Sequence, residues 1–315
     1  MKAVLLSLLG LLSLSSDAVA NCSLVPRYSG QFRSTIYDVS VDGEYVWTAT
    51  GYGAQLLQAT SEGPVLLDAV AIEGSTRVVA TGANGLAYAG SGTKIVVLRR
   101  NGAQIEIVRR AEAGAVINDI LVTPTHLFVA TRSGIGHFDL IDPTGPNRTN
   151  ANLVTSRPNV TSLAFARNTV YAADGDATVE MFNVSVPSLP QRVGSLDVLP
   201  RAAAVHATAD GFLFISDDFG QNTDIFTSTT RLSRIPYGAT SFATTNLGAF
   251  FVAGNDRTIR AIELSDPSRP AELFERQLAP TGGTANAVFD MARSGNTLYV
   301  AAGDAGLLTL DITSL

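Results

Sequence analysis

The sequence is poor in cysteine and lysine. Its 315 residues include one cysteine, Cys22, so no disulfide can form within the chain. The only lysines are Lys2 and Lys94, and no cluster of basic residues marks a nucleic-acid-binding surface, so we predict no nucleic-acid partner. No G-x-S-x-G motif and no complete phosphate-binding loop is present, and the three histidines lack metal-ligand spacing, so the common signatures of hydrolases, nucleotide enzymes and zinc sites are missing.

Long apolar runs are also missing, apart from one at the N-terminus. Val4–Leu14 follows Lys2 and precedes Ala18-Val19-Ala20, a small-residue cleavage signal. This pattern predicts a signal peptide over residues 1–20 and a secreted or periplasmic chain with no transmembrane segment. As an alternative, acylation of Cys22 would make a cell-envelope lipoprotein, although Asn21 stands where such signals carry a small residue.

An aromatic residue in a short apolar run recurs through the rest of the chain. Six steps separate Trp47 from Tyr299, which gives a period of 42 residues. One member is missing at Ala87, where Tyr88 lies beside the gap. A period of this length made of short strands predicts an all-β fold, a seven-bladed β-propeller with one blade per repeat. The aromatic members are Trp47, Phe128, Tyr171, Phe214, Phe251 and Tyr299.

The repeats divide residues 21–315 into the seven predicted blades of a single domain. Each blade has an inner strand, the aromatic strand, a third strand and an outer strand after a proline turn. The seventh repeat ends at Leu315 without an outer strand, and the segment Val25–Phe32 resembles the outer strand Leu189–Leu196. We therefore expect the mature N-terminus to complete the last blade and close the ring. The expected blades are 35–74, 76–114, 116–158, 159–200, 202–238, 239–283 and 285–315.

The proline turns and the third strands before them carry a family resemblance. Phe138-Asp139-Leu140-Ile141-Asp142-Pro143 and Ala261-Ile262-Glu263-Leu264-Ser265-Asp266-Pro267 resemble the LVIVD-repeat family of exported β-propellers, and Gly306–Asp311 is a third copy. The resemblance spans nearly the whole mature chain, although blades two and five lack the Asp-Pro turn. It implies an exported propeller with no assigned activity.

One inner-strand position, aligned on the aromatic strands, carries three aspartates. Because inner strands line the channel of a propeller, Asp38, Asp119 and Asp290 could bind Ca²⁺ through their carboxylate oxygens. The alternative is that these aspartates bind backbone amides of a neighbouring blade. The aligned residues are Asp38, Val78, Asp119, Ser162, Val205, Phe242 and Asp290.

A second acidic group lies in the turns between second and third strands. These turns share one ring face, so their carboxylates could form a rim that binds a cation or a basic partner. Aspartate is also simply a favoured turn residue. The rim candidates are Asp174, Asp176, Asp217, Asp218, Asp256 and Asp304.

No catalytic group is assembled by these patterns. We therefore expect a non-catalytic scaffold that binds a protein, peptide or glycan on one ring face. Two alternatives stay open: a calcium-dependent hydrolase or lactonase at the channel mouth, and a lipid-anchored scaffold for envelope assembly.

Overall fold

The computed structural model describes residues 26–28, 35–149, 158–198, 201–217, 221–244, 249–253, 257–278 and 288–313. The predicted signal peptide, Cys22, Asp218 and Asp256 lie outside these residues. The described chain is all-β, with one 3-10 turn at Ala83–Gly85. In this part of the chain no helix is long and apolar enough to cross a bilayer.

Twenty-seven short strands, numbered in chain order, make up the described fold. The first eight are β1 (Pro26–Tyr28), β2 (Asp38–Asp42), β3 (Tyr45–Ala49), β4 (Gly51–Gln58), β5 (Val65–Thr81), β6 (Leu86–Ser91), β7 (Lys94–Asn101) and β8 (Gln104–Glu112). The next eight are β9 (Ile117–Val122), β10 (His126–Thr131), β11 (Gly134–Asp139), β12 (Asn147–Arg148), β13 (Ser162–Ala166), β14 (Thr169–Ala173), β15 (Thr178–Asn183) and β16 (Gln191–Asp197). The remaining strands are β17 (Ala202–Ala207), β18 (Phe212–Asp217), β19 (Thr223–Thr227), β20 (Thr230–Ile235), β21 (Ser241–Thr244), β22 (Ala249–Ala253), β23 (Thr258–Glu263), β24 (Ala271–Gln277), β25 (Asp290–Ser294), β26 (Thr297–Ala301) and β27 (Leu307–Asp311).

The strands form antiparallel sheets in a β-propeller arrangement. Four sheets, β9–β12, β13–β16, β17–β20 and β21–β24, each take four consecutive strands. A fifth has the order β1-β27-β26-β25, with Arg27 opposite Thr309. Several tight turns within the sheets carry glycine or asparagine at positive φ, such as Gly43 and Asn168, a conformation that two-residue hairpin turns favour.

The prediction of separate four-stranded sheets was wrong for the first two repeats. Strands β2–β8 form one seven-stranded sheet. The cause is β5, whose first part pairs with β4 and whose second part pairs with β6. Its chain bends at Gly74 (φ 98°), and Gly51 pairs with Thr76 beyond the bend, so the ladder is continuous.

The core lies between neighbouring sheets, and the recurring aromatics fill it. Trp47, Phe128 and Phe214 are fully buried. Tyr88 takes the place of the missing aromatic, because Gly90 pairs with Val78 as Ala49 pairs with Asp38. The second repeat is therefore displaced by one residue, which turns Tyr88 toward the third repeat and Ala87 toward the first.

Replacing Phe214 by alanine tests this packing. Its ring is 0% exposed and lies 6.0 Å from that of Phe242, so Phe214→Ala should lower the free energy of unfolding by about 3–5 kcal/mol. Tyr52→Ala, at an aromatic that is 80% exposed, should change it by no more than about 0.5 kcal/mol. Urea unfolding would measure both, and equal losses would contradict the assigned packing.

Candidate functional site

The first strand of every repeat converges on one cavity of about 190 Å³. We call it the central cavity. It lies at the starts of these strands, on the same ring face as the turns between second and third strands, which we call the channel face. Its walls are Tyr37, Asp38, Arg77, Val78, Asn118, Asp119, Thr161, Ser162, Ala203, Ala204, Thr240, Phe289 and Asp290.

The structure corrects two members of the aligned position. Ala204 pairs with Ser216, and Ser241 pairs with Ala253, in the way that Asp38 pairs with Ala49. Val205 and Phe242, which the sequence alignment placed there, are buried in apolar clusters instead. A shift of one residue reverses the side of a strand on which a side chain lies, so a small alignment error changed both assignments.

Asp38 and Asp119 tie neighbouring first strands together. Asp38 accepts hydrogen bonds from the N–H of Val39 (2.7 Å) and, in the next repeat, from that of Val79 (2.8 Å). Asp119 accepts from Ile120 and from Leu163 of the next repeat, both at 2.7 Å. Each carboxylate thus bridges two strands that share no backbone ladder.

Asp290 makes a similar bridge together with Ser241, a residue that the sequence analysis missed. The Ser241 hydroxyl donates to Asp290 Oδ1 (2.7 Å) and accepts from the N–H of Met291 (3.0 Å). Asp290 Oδ2 in turn accepts from the N–H of Val39 (3.3 Å). With the correct register, the recurrence of serine and aspartate at this position would have identified Ser241.

The surroundings of Asp38 and Asp119 favour the neutral forms of these two side chains. Burial raises the pKa of Asp119 to about 6, although the N–H groups of Leu163 and Ile120 oppose the shift. Burial, followed by the charge of Asp290 and a hydrogen bond to it, holds the pKa of Asp38 well above its usual range.

Calcium binding by these three aspartates stays a prediction. The described residues contain no group of three or more His, Cys, Asp or Glu side chains that could hold a metal ion. The oxygens that would bind a cation already accept backbone N–H groups. An ion would have to share or displace these bonds.

The turn aspartates that the structure describes lie in three repeats, the fourth, the fifth and the seventh. Asp174 is buried and accepts from the Asp176 N–H (3.0 Å) and the Thr178 hydroxyl (2.6 Å). Together with Arg201, Asp174 and Asp176 line a separate cavity of about 360 Å³. Two of the predicted rim aspartates therefore share a cavity with a basic residue.

The other two described turn aspartates also have partners within the fold. Asp217 is buried and accepts from the Gln221 N–H (2.8 Å) and the Asn222 amide (3.3 Å), which braces its own turn. Asp304 is exposed and accepts from the Thr35 hydroxyl. Ligand binding by the turn aspartates stays a prediction.

Aromatic and basic side chains border the central cavity. The rings of Tyr37 and Phe289 meet edge to face at 5.2 Å, and the Arg77 guanidinium lies 4.8 Å from the Tyr37 ring centre. Phe289 is 40% exposed. None of the three was predicted from the sequence, although each stands one residue before the aligned position at Asp38, Val78 or Asp290.

Comparison with known proteins supports the β-propeller fold and assigns one repeat to a known repeat family. The LVIVD repeat model matches residues 285–314, which confirms the predicted resemblance at the last repeat. No curated protein matches the sequence. The 1645 solved chains that match in structure show how widespread this architecture is, so the likeness does not indicate an activity.

Two of these solved structures cover nearly the whole chain. Sqt1 of Saccharomyces cerevisiae has a TM-score of 0.69 at 11% identity, over 90% of this chain and 97% of its own. The computationally designed protein Ika8 has a TM-score of 0.63 at 12% identity, over 90% and 98%. At these identities the similarity concerns the fold alone.

Replacing Asp119 by asparagine tests the bridging role. An amide cannot accept hydrogen bonds at both of its heteroatoms, so Asp119→Asn should lose about 1–3 kcal/mol of the free energy of unfolding at pH 7. Asp197→Asn, at an exposed position on the outer strand of the next repeat, should lose no more than about 0.5 kcal/mol.

The same variant should show a pH dependence. Because the folded pKa is raised to about 6, the stabilisation from protonated Asp119 is complete below about pH 4 and is lost as the pH rises through 6. The loss caused by Asp119→Asn should therefore be larger at pH 4 than at pH 7 in urea unfolding. Equal losses at both pH values would contradict the raised pKa.

Proposed function

We propose that the protein is a non-catalytic binding module that holds an extended polar ligand, a peptide or a glycan, on the channel face. The observation that carries the proposal is the exposed Phe289 beside Tyr37 and Arg77 at the edge of the central cavity. An aromatic edge next to a polar cavity offers both stacking and hydrogen-bond partners to one ligand.

The chemistry of the cavity favours binding over catalysis. Asp38, Asp119 and Asp290 would be the acids or bases of a hydrolase, but each accepts backbone N–H groups that tie repeats together. Moving these carboxylates during a reaction would disturb the contacts between strands. The hydroxyls of Thr161 and Thr240 donate to backbone carbonyls of the next repeat (2.9 and 2.6 Å) and so contribute to the same framework.

We also propose that the ring has seven blades, with the seven-stranded sheet counted as two. Supporting this, seven apolar clusters of described residues each join two neighbouring repeats. One of them joins Ile36 and Val39 of the first repeat to Tyr299 and Leu307 of the last. The pairing of β1 with β27 supports closure by the N-terminal segment.

Export of the protein is a further part of the proposal. It rests on the sequence of residues 1–20, with Lys2, the apolar run and the small-residue cleavage signal. A peptide or glycan of the cell envelope or its surroundings would then be the natural ligand.

Binding can be tested on peptide and glycan arrays with the mature protein and the double variant Arg77→Ala/Phe289→Ala. We expect a group of array ligands that bind the wild type and lose about tenfold or more in affinity with the double variant. Leu273→Ala removes a side chain that is 46% exposed on the outer strand β24, away from the central cavity, and it should leave this binding unchanged. Ligands that bind both variants equally would contradict a site on the channel face.

Ring closure can be tested by comparing a chain that begins at residue 26 with one that begins at residue 34. The shorter chain lacks β1 and its pairing with β27. We expect its thermal unfolding midpoint to be lower by about 5 °C or more, since the outer edge of the last blade loses its partner. Equal midpoints would refute closure by this segment.

A further inference from the structure

A second, larger cavity lies on the ring face opposite the central cavity. Its volume is about 450 Å³, within the range of small-molecule sites. It lies between the β9–β10 and β11–β12 turns of the third repeat and the β15–β16 turn of the fourth. It shares no residue with the central cavity.

The wall of this cavity is mostly apolar and continues onto the surface. Leu140, Ile141 and Pro187 line it, and Ile141 is almost fully exposed. Val186 and Leu189, in the same turn as Pro187, are also exposed. Single exposed apolar residues are ordinary, but several beside one cavity indicate a site for an apolar ligand.

One side of the cavity is formed by a histidine ring that lies on a stack of buried rings. The His126 ring lines it and stacks on His137 at 4.8 Å, and His137 stacks on Phe128 at the same distance. Burial lowers the pKa of His126 and lowers that of His137 to about 4, which favours the neutral form of both rings. A planar ring can therefore stack on His126 without meeting a positive charge.

The polar groups of the cavity favour a cationic ligand. Asp139 lies opposite His126 in the strand ladder, and one of its oxygens accepts only a long hydrogen bond, from the Ile141 N–H at 3.4 Å. The described lining includes no lysine or arginine. A protonated amine would donate a charge-assisted hydrogen bond to the Asp139 carboxylate, whereas an anion would be repelled.

The interface that contains the cavity differs from the preceding one. Between the second and third repeats, the Tyr88 hydroxyl donates to the carbonyl of Pro143 (2.8 Å). In the next interface Phe128 holds the equivalent place and Pro187 the equivalent turn position, and phenylalanine has no hydroxyl to make that bond. This interface therefore lacks the contact that joins the preceding pair.

From these features we propose that the cavity between the third and fourth repeats binds a small aromatic amine. Its ring lies against His126 between Ile141 and Pro187, and its ammonium group binds Asp139. The Ser188 hydroxyl, at the same cavity, provides a further hydrogen-bond partner.

The test compares two probes of similar shape, 2-phenylethylamine and phenylacetate, by isothermal titration calorimetry with the mature protein at pH 7. We expect the amine to bind more tightly than the acid by about ten- to hundredfold, the effect of one charge-assisted hydrogen bond. Addition of the amine should also shift the NMR signal of the His126 ring. No measurable binding of the amine at millimolar concentration, or equal binding of both probes, would overturn the proposal.

Two variants locate the site. Asp139→Asn keeps an acceptor for the Ile141 N–H and should reduce the preference for the amine to less than about threefold. Ser188→Trp should block both probes by filling the cavity. Retention of amine binding by both variants, with their folding verified by circular dichroism, would overturn the proposal.

Matched controls come from the sixth repeat. Glu263 ends its third strand as Asp139 does, and Ser268 follows the proline of its turn as Ser188 does. Glu263→Gln and Ser268→Trp should leave the binding of both probes unchanged. Phe289→Ala on the channel face should also have no effect, which separates this site from the proposed function.

Discussion

A short sheet with two apolar faces is stable only when neighbouring sheets cover both faces, and the rest of this structure depends on that requirement. The buried aromatics lie between repeats, as Phe214 of the fifth lies against Phe242 of the sixth. Near the central cavity, where the first strands converge, side-chain hydrogen bonds also join neighbouring repeats. Asp38 and Asp119 each reach the backbone of the next repeat. Apolar packing and polar bridging are therefore two parts of one system that joins the sheets.

The sequence was sufficient to predict the repeats, because each repeat must place a large side chain against the next. Trp47, Phe128 and Tyr299 are buried as the 42-residue period predicted. The period could not reveal one-residue displacements, since strands tolerate a bulge at little cost to packing. Tyr88 was thus counted as the neighbour of a gap, and Val205 was assigned to the cavity, where the bulge between Ala202 and Ala204 places Ala204.

The candidate site was predictable only in part, for a physical reason. The sequence placed Asp38, Asp119 and Asp290 at the cavity correctly, because they occupy one position of the repeat. It could not decide between ligand binding and bridging, since both need a carboxylate on a first strand. That choice depends on which N–H groups lie within reach, as the N–H of Leu163 lies within reach of Asp119. Such contacts between repeats follow from the folded geometry, and the recurrence of aspartate at one position does not distinguish them from ligand binding.

Comparison of the repeats also separates side chains that hold the sheets together from side chains that could bind a ligand. Features that recur, such as the bridges of Asp38 and Asp119, meet a structural demand that several interfaces share, the joining of neighbouring first strands. Features that occur once are under no such demand. The surface formed by Phe289 and Arg77 on one face, and the stack of His126 on His137 on the other, are both departures of this kind. Exposed apolar side chains contribute little to the stability of the sheets, so a ligand that covers them is the simplest physical reason for their presence.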